Sequence, residues 1–275
     1  MLTLIALGIG GFALLCLLMY VRQDRLLFFP RPNDPALRAQ WQYQRIEIAS
    51  GEHVLEGWWA EGAEPDATSV VLYFGGNAED VLYSAGNAAQ LPIKRMLVVN
   101  YRGYGATTGR PSQDALYEDA LAVYDYAIGA GGADPRDIIV MGRSLGSGVA
   151  TMLAAKRRVR AAVLITPFDS IAAVAAHHYS WVPVSRLLRH PFLSIDHARR
   201  ASSPALFLIA ARDGVIPPIH GQRLAQAWAG ETRVHVLDSV GHNDIDRHPR
   251  YRAYLEEFLQ GVSRDGISDM QQATP

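Results

Sequence analysis

Short apolar runs alternate with segments of helical length over most of the chain from residue 69 onward. Each run is compact, mostly β-branched or leucine, and too short for a helix, which is typical of a strand buried on both faces. The runs occupy residues 69–74, 96–100, 138–141, 162–165, 205–209 and 234–237. Strands that alternate with helices predict a parallel sheet covered by helices on both faces.

Two further strands are predicted ahead of this region, at 45–48 and 54–60, on either side of the turn Ser-Gly-Glu-His at 50–53. They bring the predicted sheet to eight strands, most of them parallel. The fold class is therefore α/β, and for a chain of 275 residues a single α/β domain is the expectation. We place this domain at 45–262.

The first stretch of the chain, residues 2–21, carries no charged side chain. A helix needs about 20 apolar residues to cross the hydrocarbon core of a bilayer. The run lacks the features of a cleaved signal peptide, because no Lys or Arg precedes it and bulky residues end it. We therefore predict a single-pass membrane protein with a transmembrane anchor at 1–21. Arg22 and Arg25 weakly favour a cytoplasmic domain, but so few charges leave the membrane face open.

Three shorter regions complete the predicted organisation. Prolines at 30, 32 and 35 interrupt regular structure after the anchor, so residues 22–44 are predicted as a juxtamembrane linker. Residues 167–203 lie between two predicted strands and are too few for an independent domain, which favours a small cap insertion. Residues 263–275 are predicted as a disordered tail.

Charge and cysteine usage exclude several classes of partner. The chain has 26 Lys and Arg against 27 Asp and Glu, a net charge of -1, so no strongly basic face favours nucleic acid. Cys16 is the single cysteine and lies in the apolar run, which excludes an internal disulfide framework and a cysteine-based metal site. A small molecule or the membrane is the better prediction for a partner.

The motif Gly-Arg-Ser-Leu-Gly at 142–146 directly follows the apolar run at 138–141. This is the G-x-S-x-G pattern of a nucleophile elbow, in which a serine occupies a sharp strand-to-helix turn and small neighbours let the helix pack against the sheet. Ser144 is therefore the candidate nucleophile. Ser147 is a weaker candidate because it falls inside the predicted helix. The alternative reading is a glycine-rich turn with an inert serine.

Polar and glycine-rich motifs follow other predicted strands, at the edge where a parallel sheet holds its site. Ser144 comes first along the chain, then Asp213, then His242. The motifs are Gly-Gly-Asn-Ala at 75–78, Asn-Tyr-Arg-Gly-Tyr-Gly at 100–105, Ala-Ala-Arg-Asp-Gly at 210–214 and Asp-Ser-Val-Gly-His-Asn-Asp at 238–244.

This order resembles the α/β-hydrolase superfamily, whose acid and histidine follow the serine. The resemblance covers residues 45–259. The motifs at 75–78, 100–105 and 142–148, with Thr-Pro-Phe at 166–168 and Gly-His-Asn at 241–243, are more narrowly similar to the membrane-anchored abhydrolase-domain branch, related to serine aminopeptidase-like hydrolases. Relatives usually carry histidine where this chain has Gly75. Since the backbone donates the hydrogen bonds, we expect the oxyanion hole to survive with a looser loop.

The resemblance implies an α/β-hydrolase fold and assigns a role to each candidate residue. His242 is the expected base for Ser144, and Asp213 is expected to orient the imidazole. The backbone N–H groups of Asn77 and Leu145 are expected to hold the oxyanion. The chemistry passes through an acyl-enzyme and requires no metal and no organic cofactor.

Several residues compete for these roles. Asp169 and Asp238 also follow strands, so each is an alternative to Asp213 as the acid. His177 and His178 are adjacent, whereas a metal pair on one helical face needs a spacing of three or four, so we interpret them as cap or surface residues.

The sequence therefore predicts a membrane-anchored serine hydrolase that acts on carboxylic ester or thioester bonds. The resemblance reaches branches that include protein depalmitoylases, which favours an acylated, lipid-modified substrate at the bilayer. One alternative is a peptidase or amidase with the same three residues. Another is a non-catalytic scaffold with a hydrolase fold.

Overall fold

The computed structural model describes residues 1–272 and contains one mixed sheet flanked by helices. The strands are β1 (Arg45–Ser50), β2 (His53–Glu61), β3 (Val70–Phe74), β4 (Arg95–Val99), β5 (Ile138–Arg143), β6 (Ala161–Ile165), β7 (Ala205–Ala210) and β8 (Thr232–Leu237). The helices are α1 (Leu2–Leu27), α2 (Pro35–Gln40), α3 (Val81–Gly86), α4 (Gln113–Ile128), α5 (Leu145–Lys156), α6 (Ile171–His178), α7 (Val184–Leu187), α8 (Ser194–Ala198), α9 (Pro218–Ala227) and α10 (Tyr251–Gln272).

The eight strands lie in the order β1-β2-β4-β3-β5-β6-β7-β8. β1 pairs with β2 and β2 with β4 in antiparallel fashion, and the remaining pairs are parallel. The predicted fold class, a mostly parallel eight-stranded sheet with helices on both faces, is confirmed. The carboxyl ends of β3 to β8 consequently lie along one edge of the sheet.

Two apolar cores cover the two faces of the sheet. Every residue of β3, β6 and β7 is buried, since successive side chains of a strand point to opposite faces and both faces are covered. One core contains Leu72 and Phe207 of the strands and packs against α4, α5 and α9; the other contains Val71 and Leu208 and packs against α3 and α10. Burial on both faces explains why these strands are continuous apolar runs in the sequence.

The first helix is longer than the predicted anchor. Its segment Thr3–Leu27 has a hydropathy of 2.5 and is long and apolar enough to span a membrane. The helix continues past Val21 because the first proline stands at position 30 and nothing before it interrupts the backbone hydrogen bonds. The predicted linker, 22–44, is therefore partly helical, and it also contains α2.

The cap and the tail complete the chain. Residues 167–203 contain the short helices α6, α7 and α8 between β6 and β7, at the position of the predicted cap. The tail predicted as disordered, 263–275, is helical over 263–272, because no proline interrupts the turns that α10 continues from its packed first half. Residues 273–275 lie outside the described part of the chain.

Two glycines let α5 approach the sheet closely. A Cβ built on Gly146 would lie 2.0 Å from the carbonyl oxygen of Phe74, and one built on Gly142 would lie 2.2 Å from the carbonyl oxygen of Gly146. In both cases the obstacle is backbone, which cannot rotate away as a side chain does. The end of β3, the end of β5 and the start of α5 are thus held together at backbone contact.

Gly146→Ala should lower the stability of the fold, because the added methyl group forces α5 away from β3. Overpacking of this kind costs about 1–3 kcal/mol and occasionally more. We expect thermal unfolding of the full chain in detergent micelles to begin several degrees lower. Gly86→Ala is the control, since nothing lies within 4 Å of a Cβ at that position. Equal midpoints for the two variants would contradict this account of the elbow.

Candidate active site

Ser144 occupies the turn between β5 and α5 in a strained backbone conformation. Its φ is 51° and its ψ is -118°, in a region that residues with a side chain rarely adopt. Its backbone N–H donates a hydrogen bond of 2.9 Å to the carbonyl oxygen of Ile165 on the neighbouring strand β6. The turn therefore keeps this conformation through its contacts with the sheet.

The structure brings the three predicted side chains together. Nε2 of His242 lies 2.9 Å from Oγ of Ser144, and Nδ1 of His242 lies 2.7 Å from Oδ2 of Asp213. A carboxylate only accepts hydrogen bonds, so Nδ1 carries the proton and Nε2 of the neutral ring is free to accept from the hydroxyl. This is the tautomer in which the imidazole can remove a proton from Ser144.

Asp213 is held by the loop that follows β7. Its Oδ1 accepts hydrogen bonds from the backbone N–H groups of Val215, at 2.8 Å, and Ile216, at 2.7 Å. Only 1% of the side chain is exposed to solvent. With His242 on the second oxygen, the buried carboxylate has partners on both oxygens, which fixes its orientation.

His242 is held by the loop that follows β8. The backbone N–H of Gly241 donates to Oδ1 of Asp244 at 2.8 Å, which closes the loop just before the histidine. The guanidinium of Arg143 lies 3.4 Å from the carbonyl oxygen of His242. The side chain of His242 is 9% exposed, so the imidazole is largely shielded from solvent.

The competing carboxylates have other partners. Oδ1 of Asp169 lies 2.8 Å from Nδ1 of His220, and Oδ1 of Asp238 lies 3.0 Å from Nε2 of His248. Neither carboxylate contacts His242 in the described part of the chain. Both follow strands, so the sequence alone could not exclude them as the acid. In the structure it is Asp213 that contacts His242.

The other residues considered from the sequence, Ser147, His177 and His178, also have partners other than His242 or lie exposed. The hydroxyl of Ser147 is buried within α5 and donates to the carbonyl oxygen of Ser144 at 2.6 Å. His177 and His178 are exposed at the end of α6, and Nε2 of His178 lies 2.9 Å from the carbonyl oxygen of Val215. Within residues 1–272, no group of three or more His, Cys, Asp or Glu side chains is arranged to hold a metal ion.

The two candidate oxyanion donors belong to two segments that meet at Ser144. Leu145 begins α5, and Asn77 belongs to the loop after β3; neither backbone N–H has an acceptor among the described residues. The loop reaches the serine, since a Cβ built on Gly76 would lie 3.6 Å from Cβ of Ser144. Free N–H groups beside the hydroxyl are what an oxyanion hole requires.

Sequence reasoning missed the side chains that support this loop. Tyr101 donates from its hydroxyl to the carbonyl oxygen of Gly75 at 2.9 Å, and Glu79 accepts from the N–H of Gly76 at 2.6 Å. Burial, and then the charge of Glu79, raises the pKa of Tyr101, so the hydroxyl keeps the proton that it donates. Tyr101 belongs to the motif at 100–105, whose presence was visible in the sequence although its contact with the loop was not.

Comparison with known proteins agrees with this architecture. A family model described as alpha/beta hydrolase fold matches residues 69–183. An uncharacterized protein of Mycobacterium tuberculosis is 34% identical over 82% of this chain and 82% of its own length. The alpha/beta hydrolase domain-containing protein 17C of Xenopus tropicalis is 28% identical over 81% of this chain and 74% of its own length.

A solved structure has the same fold. The esterase Pf2001 of Pyrococcus furiosus superposes with a TM-score of 0.61 over 85% of this chain and 97% of its own, at 16% identity. The sheet order, the strand-turn-helix at Ser144, the family match and the relative at 34% identity agree with one another. The chain belongs to the α/β-hydrolase family.

Proposed function

We propose that the protein is a serine hydrolase that cleaves carboxylic ester or thioester bonds through an acyl-enzyme on Ser144. The observation that carries the proposal is the imidazole of His242, which lies within hydrogen-bond distance of both the Ser144 hydroxyl and the Asp213 carboxylate. A serine hydroxyl is a weak nucleophile at neutral pH, and this arrangement supplies the base it needs together with a group that orients the base.

In the first half-reaction, Oγ of Ser144 attacks the carbonyl carbon of the substrate while its proton moves to Nε2 of His242. The imidazolium that forms is stabilised by the carboxylate of Asp213. The negative charge develops on the carbonyl oxygen, next to the free N–H groups of Leu145 and Asn77. The tetrahedral intermediate then expels the alcohol or thiol, which takes the proton from Nε2.

In the second half-reaction, a water molecule replaces the leaving group. Nε2 of His242 takes one proton from the water, and the hydroxide attacks the acyl carbon of the ester on Ser144. The intermediate collapses, the acid is released, and the proton returns to Oγ. Each step moves protons between groups of this chain and the substrate, so the cycle uses neither a metal nor an organic cofactor.

We further propose that α1 anchors the protein in a membrane and that the substrate is an acyl group presented at the bilayer. Two contacts between the cap and the helix support this: the rings of Phe12 and Trp181 are 6.3 Å apart, and Arg189 pairs with Asp24 at 2.9 Å. The exposed Trp181 therefore lies at the level of the apolar part of α1. A lipid-modified substrate that enters beside the cap fits this placement.

Labelling with a fluorophosphonate probe tests the proposed nucleophile. The full chain in detergent micelles should be labelled, because an activated serine displaces fluoride from the probe to form a phosphonate ester whose phosphoryl oxygen occupies the oxyanion hole. Ser144→Ala should abolish the label, and Ser147→Ala, three residues further along the chain in α5, should keep it. An unlabelled wild-type protein would favour the non-catalytic scaffold, and a labelled Ser144→Ala would assign the nucleophile elsewhere.

Asp213→Asn should lower kcat by about 10⁴-fold, since the amide no longer enforces the tautomer with the proton on Nδ1. The side chain keeps its shape, so the loop after β7 should keep its fold. Steady-state hydrolysis of an aryl ester measures the effect. Asp238→Asn is the matched control, because that carboxylate is 87% exposed and pairs with His248 instead. Similar rates for the two variants would argue against Asp213 as the acid.

A substrate panel distinguishes ester and thioester hydrolysis from peptidase activity. Aryl esters, a palmitoylated cysteine peptide and a peptide anilide are compared for wild type and Ser144→Ala, with the protein in phospholipid vesicles. We expect hydrolysis of the esters and the thioester, and faster release of palmitate than of acetate from the same peptide. Comparable rates on the anilide and the aryl ester would favour the peptidase, and equal rates for both acyl chains would contradict the lipid-modified substrate.

A further inference from the structure

The chain that leaves α1 is hydrogen-bonded to the loop that carries the candidate oxyanion donor. We call residues 27–34, from the last residue of α1 to the residue before α2, the strap. The side-chain amide of Asn77 donates to the carbonyl oxygen of Leu27 at 2.5 Å, and its Oδ1 accepts from the backbone N–H of Phe29 at 2.9 Å. Both ends of the Asn77 side chain are thus held by the backbone of the strap.

Tyr104 closes this network from the other side. Its hydroxyl donates to Oδ1 of Asn77 at 2.7 Å and accepts from the N–H of Phe29 at 3.2 Å. The ring is buried and meets Tyr101 edge to face at 5.7 Å. Burial raises the pKa of Tyr104 more than the hydrogen bond from Phe29 lowers it, so the hydroxyl stays protonated.

The contact continues along the strap. Arg31 donates from its guanidinium to the carbonyl oxygen of Ala78 at 3.2 Å. Asn33 and the backbone N–H of Asp34 donate to the two carboxylate oxygens of Asp80, at 2.6 Å and 2.7 Å. Asn33 and Asp80 are both buried. The strap therefore follows the loop after β3 from Asn77 as far as the start of α3.

The loop needs such support because its own sequence favours flexibility. It begins with Gly75 and Gly76, and Ala78 has a φ of 58°, where a residue with a side chain is strained. The N–H of Asn77 has no acceptor among the described residues that would fix its direction. An oxyanion donor is effective only if its direction is set before the charge develops.

We propose that the strap completes the oxyanion hole, with the side chain of Asn77 and the hydroxyl of Tyr104 as positioning residues for the Asn77 N–H. The strap is itself fixed at Phe28, which is buried against Phe192 and His190 of the cap segment, with ring centroids 6.4 Å and 5.3 Å away. The inference rests on the proposed acyl-transfer mechanism. It means that the strap, which the sequence predicts as part of a linker, helps to set the rate of the chemical step.

Two single substitutions disrupt the network and leave the sequence of the loop after β3 unchanged. Phe29→Pro replaces the N–H that Asn77 and Tyr104 share with a ring carbon, which also pushes both acceptors away, and the extended conformation of Phe28, with φ -105° and ψ 130°, is compatible with a following proline. Phe29→Ala keeps the N–H and is the matched control, because the Phe29 side chain is exposed. Tyr104→Phe removes the hydroxyl alone, and Tyr83→Phe, at an exposed tyrosine of α3, is its control.

Each substitution removes two neutral hydrogen bonds of the network, so we expect Tyr104→Phe to lower kcat by about threefold to tenfold and Phe29→Pro to lower it by at least as much, with KM unchanged. The double variant should lose less than the product of the two effects, because both bonds act through Asn77. Asn77→Asp, which repels the carbonyl of Leu27, should lower kcat by about 10²-fold, as loss of one oxyanion donor does. The full chain is used in detergent micelles with an aryl ester.

The pH profile and the unfolding midpoint separate positioning from damage to the fold. A positioning role leaves the acidic limb of kcat in place, since the contacts of His242 with Ser144 and Asp213 are untouched. Unchanged kcat in the three single variants, while Ser144 of wild type is labelled by fluorophosphonate, would overturn the inference and leave the proposed function intact. A fall in kcat accompanied by a changed KM and a lower unfolding midpoint would also overturn it. Absence of labelling in the wild-type protein would remove the proposed function itself.

Discussion

The contact on which the site depends is a contact between two backbones, where Gly146 of α5 meets the carbonyl of Phe74 at the end of β3. A Cβ at this position would lie 2.0 Å from the carbonyl oxygen, so the helix is as near to the sheet as its backbone allows. The same approach forces the turn at Ser144 into its strained conformation and brings the first N–H of α5 beside the loop after β3. Packing, strain and the free donor therefore have one cause.

The parallel part of the sheet converts separate loops into one site. β5, β7 and β8 end at the same edge, so the residues that follow them meet although they are about 30 to 100 positions apart in the chain. The hydroxyl, the imidazole and the carboxylate form a line of hydrogen bonds, and Val215 and Ile216 satisfy the last member with backbone N–H groups. A buried carboxylate without such donors would carry a large desolvation cost. The loop after β7 thus stabilises the charge that the imidazole needs.

The sequence predicts the sheet well, because burial on both faces leaves a strong local pattern: the apolar run at 138–141 becomes β5, and the run at 205–209 becomes β7. It predicts the residues of the site less fully. Asp169, Asp213 and Asp238 all follow strands, and only the path of each loop decides which one reaches His242. The prolines after α1 indicate irregular backbone. No local sequence pattern indicates that this backbone lies against Asn77, some 50 positions away.

That long-range contact resolves a conflict within the loop after β3. Gly75 and Gly76 leave room for the close approach to Ser144, yet glycine also gives the backbone a freedom that an oxyanion donor has to lose. If the freedom were lost only when the charge develops, its entropy would add to the activation barrier; contacts made on folding remove it beforehand. The carbonyl of Gly75 is held by Tyr101, and the side chain of Asn77 by the strap. The close approach and the rigidity are therefore supplied by different parts of the chain, and the part that supplies the rigidity begins where α1 ends.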